Sequence, residues 1–137
     1  MGTDPREALR RLQLAAGDGR LDALCERHSV RILTVFGSVV RPGGAPRDLD
    51  VAVGLEPGAA GDLLALIDDL SGLTGSEGID VMVLHRAGPV ARERALVGCL
   101  ALYESEPGAY ATAQMAAVGE RMDTDWLRAL DLETLRS

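Results

Sequence analysis

Residues 35–53 read VFGSVVRPGGAPRDLDVAV: an apolar run, Gly-Ser, a loop rich in Gly, Pro and Arg, then Asp-x-Asp leading into a second apolar run. Arg31 to Phe36 (RILTVF) and Asp48 to Leu55 (DLDVAVGL) have the β-branched, apolar character of strands, and they bracket the loop. Residues i and i+2 of a strand project to one face, so Asp48 and Asp50 point together while Leu49 and Val51 face the other way. Like charges held side by side repel, and a divalent cation between them is the natural relief. Gly78 to Leu84 (GIDVMVL) reads as a third strand, with Asp80 at its start able to supply a third carboxylate. Three such groups can hold two Mg²⁺ ions of the kind that clamp attacking and leaving oxygens in phosphoryl chemistry.

Gly37 and Ser38 supply what carboxylates cannot, a close backbone approach and a hydroxyl for a phosphate. A short helical turn beginning at Ser38 would add free N–H groups to that anion site. Arg41 and Arg47, in the loop between the turn and Asp-x-Asp, are candidate triphosphate contacts. Taken singly, each piece is ordinary loop chemistry. An apolar strand, Gly-Ser, nine residues, Asp-x-Asp on a strand and a later strand Asp form an ordered set, and the set points to a site.

Outward from this centre the chain alternates helical and strand patterns. Asp4-Pro5 opens a capped helix, EALRRLQLAA, that Gly17-Asp18-Gly19 breaks, and a second short helix spans Leu21 to His28. Ala60 to Leu73 places Leu63, Leu66, Ile67 and Leu70 at i, i+3, i+4 and i+7, the stripe of a helix packed on a sheet, with Asp62, Asp68 and Asp69 largely on the wet side. Pro89 opens a further helix predicted to run through VARERALVGCLALY to Tyr103. After a break at Pro107-Gly108, two helices are predicted, Ala109 to Val118 and Thr124 to Leu135, with Trp126, Leu127, Leu130 and Leu135 expected to close the core, ahead of the alternative that they dock on a partner. The expected architecture is one α/β (α+β) domain over residues 1–137: a small mixed sheet, helices packed mainly on one face, and a helical extension from residue 104. The cleft is expected at the ends of the strands carrying Asp48, Asp50 and Asp80.

Composition excludes several alternatives. A chain of 137 residues with 47% hydrophobic content can build a core without disulfides. Cys25 and Cys99 stand far apart, outside any C-x-x-C, and are read as small buried hydrophobes; His28 and His85 lack ligand-spaced partners. The net charge of −7 and the small aromatic set, Phe36, Tyr103, Tyr110 and Trp126, argue against a general nucleic-acid surface. All 14 basic residues are arginine, which rules out a Walker A lysine, a Schiff base and a lysine general base. The charged start MGTDPREALRRL does not read as a signal peptide, and no run approaches a membrane span. A cytoplasmic protein is expected.

The ordered set resembles the G-S-x(n)-D-x-D signature of the nucleotidyltransferase superfamily that includes DNA polymerase beta. It is most similar to the minimal nucleotidyltransferase (MNT) antitoxins that pair with HEPN toxins. The resemblance covers about Val30 to Tyr103, with IDVMVL and GCLALYE matching a later strand and helix in character. It implies that Gly37 and Ser38 grip the phosphates of ATP. It implies that Asp48 and Asp50 hold Mg²⁺, and that Asp80 completes the metal site and favours deprotonation of the attacking hydroxyl. The implied reaction adds AMP from ATP to a tyrosine of the HEPN ribonuclease, in a hetero-oligomer with that toxin. Two other functions remain open: neutralisation by binding alone over a vestigial metal site, and nucleotidyl transfer to a small hydroxylated molecule such as an aminoglycoside. The second is disfavoured because about 35 residues after Tyr103 leave little room for an acceptor domain.

Overall fold

Helix α1 (Pro5–Asp18) starts where Asp4 accepts the Arg6 amide at 3.0 Å and proline fills the first turn. Throughout the computed structural model, residues 3–136 are described, without the side chains of 124 and 131–136. Gly19, at φ +88°, turns the chain directly into α2 (Arg20–Arg27). Two antiparallel strands follow, β1 (Val30–Phe36) and β2 (Leu49–Leu55), then α3 (Leu63–Thr74), capped by the Asp62 side chain, and β3 (Ile79–Val83). Helix α4 (Pro89–Leu96), β4 (Leu100–Glu104) and α5 (Ala109–Arg136) complete the described chain.

The sheet is mixed, in the order β3-β2-β1-β4, with β1 antiparallel to both β2 and β4 and β2 parallel to β3. The α/β class and small mixed sheet expected from the sequence are therefore present. Strand alternation divides the interior into two layers. Leu33, Val35, Leu49, Val51 and Val53 pack with Leu12, Leu21, Leu24, Leu66 and Leu70 of α1 to α3, in the larger cluster. Ile32, Phe36 and Ala52, on the opposite face, meet Ala95 and Leu96 of α4 and Ala109 and Ala117 of α5. Each fully buried leucine of the first cluster contributes about 1.5–3 kcal/mol.

Two predicted elements are corrected. The helix from Pro89 does not reach Tyr103: it ends at Leu96, Gly98 adopts φ +72°, and residues 100–104 become the edge strand β4. Five residues reading LALYE are compatible with either state. The open edge of β1 decides, because β4 satisfies backbone groups that a longer α4 would leave unpaired. The two predicted C-terminal helices are one, α5, running unbroken through Gly119. A helical glycine costs only about 1 kcal/mol relative to alanine. Against that cost stand the ion pairs Arg92–Glu120 and Arg121–Glu93, which tie α5 to α4, and Arg121–Asp125 within α5.

Exposure along α5 also overturns core closure by its far half: Trp126 and Leu127 are 63% and 60% exposed and Leu130 is 39% exposed. Leu135 lies outside the side chains described. Trp126→Ala is expected to cost about 0.5 kcal/mol or less, the range of surface substitutions, rather than the ~3–5 kcal/mol of a core aromatic; a urea melt of the two proteins checks this.

Cys25 is fully buried, and burial pushes its thiol up to about 12, whereas Cys99 is only half-buried. Among the described residues no helix is long and apolar enough to cross a membrane.

One buried polar contact binds the sheet to α4. Thr34, fully buried, donates its hydroxyl to the Ala95 carbonyl at 2.8 Å. Thr34→Val keeps the shape but leaves that carbonyl unpaired, and should lower stability by about 1–3 kcal/mol in a thermal or denaturant melt.

Candidate active site

The end of β1 and the start of β2 are brought together by register: Phe36 lies opposite Asp50 across the antiparallel pair. Beyond Phe36 the chain must turn immediately over the neighbouring strand, and Gly37 does this at φ +81°. A Cβ at Gly37 would stand 3.2 Å from Asp50 Cγ and in collision with its Oδ2. The backbone therefore rests directly on the Asp50 carboxylate. Gly37–Val39 then forms a single 3-10 turn, in which the Val40 and Arg41 amides donate to the Gly37 and Ser38 carbonyls at 3.3 Å.

Leu49 and Val51 are fully buried toward α1 and α3, which sends Asp50 to the other face with Phe36 and Ala52. In the parallel pair β2·β3, Asp50 and Asp80 are direct partners. Asp48, just before β2, has its Oδ1 3.5 Å from where a Cβ of Gly78 would stand, and the Leu49 amide donates to the Gly78 carbonyl at 2.9 Å. Asp50, its partner Asp80 on β3 and Asp48 just before β2 thus lie at the end of the sheet that carries the Gly37 turn.

Their mutual influence shows in Asp50. Burial is the largest of the effects that raise its pKa above the ordinary carboxylate range; the negative charges of Asp80 and Asp48 add to it, and Arg94 and Arg41 oppose it. Among the described residues no three His, Cys, Asp or Glu side chains stand close enough to cage an ion by themselves. The donor set nevertheless fits Mg²⁺. That ion takes oxygen ligands, binds through one or two carboxylates, and completes its shell with water and substrate phosphates rather than an all-protein cage.

Beside the turn lies a cleft of about 300 Å³ lined by Phe36, Gly37, Val40, Arg41, Arg94, Val97 and Gly98. Of the residues singled out in the sequence, the fold collects Gly37, Arg41, Asp48, Asp50 and Asp80 at this end of the sheet, with Ser38 half-buried in the turn. Arg47 is exposed in the loop and does not line the cleft. That loop is moored to α1 by the Arg6 guanidinium, which donates to the Gly44 carbonyl. Nothing in the sequence alone singles out Arg94. The run VARERAL carries two arginines in α4, and only the packing of that helix shows which one faces Asp50.

No family model and no curated protein matches the chain. Solved structures do. A structure described as a minimal nucleotidyltransferase is 34% identical, over 74% of this chain and 94% of that one, with a TM-score of 0.52. A chain of a toxin-antitoxin complex with AMP-PNP is 14% identical, covering 87% of this chain and 98% of that one at a TM-score of 0.66. A chain of the complex of tri-AMPylated Shewanella oneidensis HEPN toxin with MNT antitoxin is 15% identical, covering 92% of this chain and 99% of that one at 0.64. At such identities the last two are likenesses of fold.

Proposed function

The chain belongs to the minimal nucleotidyltransferases, and from that premise we propose that it is an antitoxin that transfers AMP from ATP to a tyrosine of a cognate HEPN ribonuclease toxin, in the cytoplasm. The observation that carries this reading is the seating of the Gly37 turn on Asp50, beside Asp48 and Asp80. The fold shared with an AMP-PNP-bound toxin-antitoxin chain and with a chain of an AMPylated HEPN complex supports the nucleotide and the partner.

In this reading Gly37 and Ser38 hold phosphate oxygens through backbone N–H groups and the Ser38 hydroxyl, and the absence of a Cβ at Gly37 lets the phosphate come close. Asp48, Asp50 and Asp80 would hold Mg²⁺, which when bound neutralises charge on the phosphates and orients them. Asp80, on the strand beside Asp50, is the carboxylate assigned to draw off the proton of the incoming tyrosine hydroxyl. The hydroxyl oxygen then bonds to the α-phosphorus as the bond from that phosphorus to the bridging oxygen breaks, and pyrophosphate leaves in line with the attack. Arg41, Asp48, Asp80 and Arg94 are all exposed, so the reacting groups line an open rim that a protein side chain can reach.

The test is the intact mass of the partner that co-purifies from the native host, before and after incubation with Mg²⁺ and ATP. A gain of whole AMP units is expected. A partner that stays bound with unchanged mass overturns AMP transfer and leaves neutralisation by binding.

A further inference from the structure

Helix α5 inverts the usual arrangement of a helix that closes a core. Its packed face is small: Ala109 and Ala117 are buried in the cluster with Ile32, Phe36 and Leu96, and Ala113 packs beside them. Its large apolar side chains lie elsewhere. Met115, Val118, Met122, Trp126 and Leu130 stand at i, i+3, i+7, i+11 and i+15, which on an α-helix is a single line about 22 Å long. Ala117, two residues from Met115, is more than half a turn away from that line, so the two rows occupy opposite sides. All five large residues are exposed, Met115 and Met122 to 72% and 67%. A continuous exposed apolar row of this extent marks a surface that another molecule covers.

The charges along the row say what kind of molecule. Asp123 and Asp125 border it, one on each side beside Met122 and Trp126, and both are exposed. Arg121 is engaged by Glu93 and Asp125, and Arg128, two residues past Trp126, falls on the far side of the helix. The row is thus apolar with acidic borders, on a chain of net charge −7. A second copy laid antiparallel with Met122 against Trp126 would set Asp123 opposite Asp125, acid against acid. A helix that lies on a membrane carries lysine and arginine on its polar face to meet anionic lipid, whereas these borders are aspartate.

We propose that this outer face of α5 docks the ribonuclease partner, through an apolar patch on the partner that is bordered by basic residues. The partner's identity rests on the nucleotidyl-transfer reading above, and the helix adds where it is held. A ribonuclease binds a polyanion and needs clustered cations to do so, which gives the acid-bordered row its complement. The face lies away from the reacting groups. Helix α5 supports the cleft wall near its start, where Tyr110 and Gln114 donate to the Leu96 carbonyl at 2.7 and 3.0 Å, next to Val97 and Gly98. Trp126 is about 24 Å further along the helix. The row therefore holds one part of the partner while another part presents its hydroxyl to the cleft, so it governs affinity and not the chemical step.

The experiment is equilibrium binding of the full chain to the purified ribonuclease partner from the native host, without ATP. The proteins compared are the wild type, Met122→Glu with Trp126→Glu, Asp123→Arg and, as a control, Leu64→Glu, which alters an exposed leucine of α3. The double variant should bind about 30-fold more weakly or worse, as for loss of a buried aromatic anchor. Asp123→Arg should weaken binding by about 3- to 10-fold and flatten its salt dependence, and Leu64→Glu should stay within twofold. In initial rates of AMP transfer the KM for the partner should rise with kcat unchanged. Because every altered residue is exposed, circular dichroism should show all the proteins equally folded. Double-variant binding within twofold of wild type, or an equal loss in Leu64→Glu, overturns the docking face and leaves AMP transfer standing. A chain that sediments alone as a dimer, and as a monomer in the double variant, gives the face to a second copy and overturns it as well. A partner that binds through α5 and never gains AMP supports the face and overturns AMP transfer, and a wild type that binds no ribonuclease overturns both.

Discussion

Replacing Asp48 and Asp50 together by asparagine is expected to reduce AMP transfer by about a thousandfold or more while the protein stays folded. The pair loses both negative charges at the entrance to β2, and cation-assisted charge stabilisation worth several kcal/mol goes with them; each ~1.4 kcal/mol is a factor of ten in rate. A retained rate within tenfold of wild type in the mass assay would remove these residues from the reaction.

Stability should move the other way. Burial and its acidic neighbours raise the Asp50 pKa, so the metal-free folded chain holds that proton to a higher pH than the unfolded chain does. The stability that comes with the proton is present below the unfolded value, about 3.9, and is lost as pH rises through the folded value. At neutral pH the ionised group is therefore a net cost, and Asp50→Asn removes it. With a chelator present, the melting temperature of Asp50→Asn at pH 7 should equal or exceed that of wild type, and the gap should narrow as the pH falls toward the unfolded value. A clear drop at pH 7 would contradict the charge crowding described at Asp50.

Gly37→Ala is the second substitution with a large expected effect, and it works through space instead of charge. Two obstacles meet at this position. The backbone sits at φ +81°, where a residue with a Cβ costs about 1–2 kcal/mol, and the new Cβ would collide with Asp50 Oδ2. The Asp50 backbone is held by pairing to β1 on one side and β3 on the other, so relief comes either from the carboxylate swinging out of its place in the site or from the turn lifting away with Ser38. A displacement of ~1 Å at a reacting centre can cost about 100-fold, so nucleotide binding and transfer should fall by at least that much. The fold should lose only the few kcal/mol of local strain. Titration with AMP-PNP alongside a thermal melt separates the two effects. Equal losses in both would mean that the substitution merely unfolds the protein, and unchanged binding would mean that the turn does not face the phosphates.

The parts legible in the sequence share one property: their signal lies within a few neighbouring residues. The β-branched, apolar character of RILTVF and DLDVAVGL is enough for β1 and β2, and the i and i+2 rule places Asp48 and Asp50 on one side of the strand. Glycine followed by serine after an apolar strand was enough for the turn. Asp80 needed only Ile79 and the run after it to be placed near a strand start, and the parallel register then set it opposite Asp50.

The parts that differ from the sequence expectation depend on partners distant in the chain. LALYE reads as a helical continuation until β1 is seen to lack a neighbour on that edge. The break between two C-terminal helices vanished because Glu120 and Arg121, beside a weak glycine, are tied to Arg92 and Glu93 of another helix. Trp126 and Leu127 read as the apolar stripe of a core-closing helix, but the core is already filled by α1 to α4 and the near half of α5, and both are left exposed.

Arg92 and Arg94 make the same division within one turn of helix. Sequence determines that α4 carries two cations, and it determines from glycine, serine and three aspartates what kind of chemistry this end of the sheet can hold. Only the packing of α4 between β1 and α5 decides that Glu120 receives Arg92 while Arg94 lines the cleft by Gly37. Charge and backbone freedom belong to single residues and travel with the sequence. The direction a side chain faces is set by burying an apolar surface against elements tens of residues away, and that is settled only when the whole chain has folded.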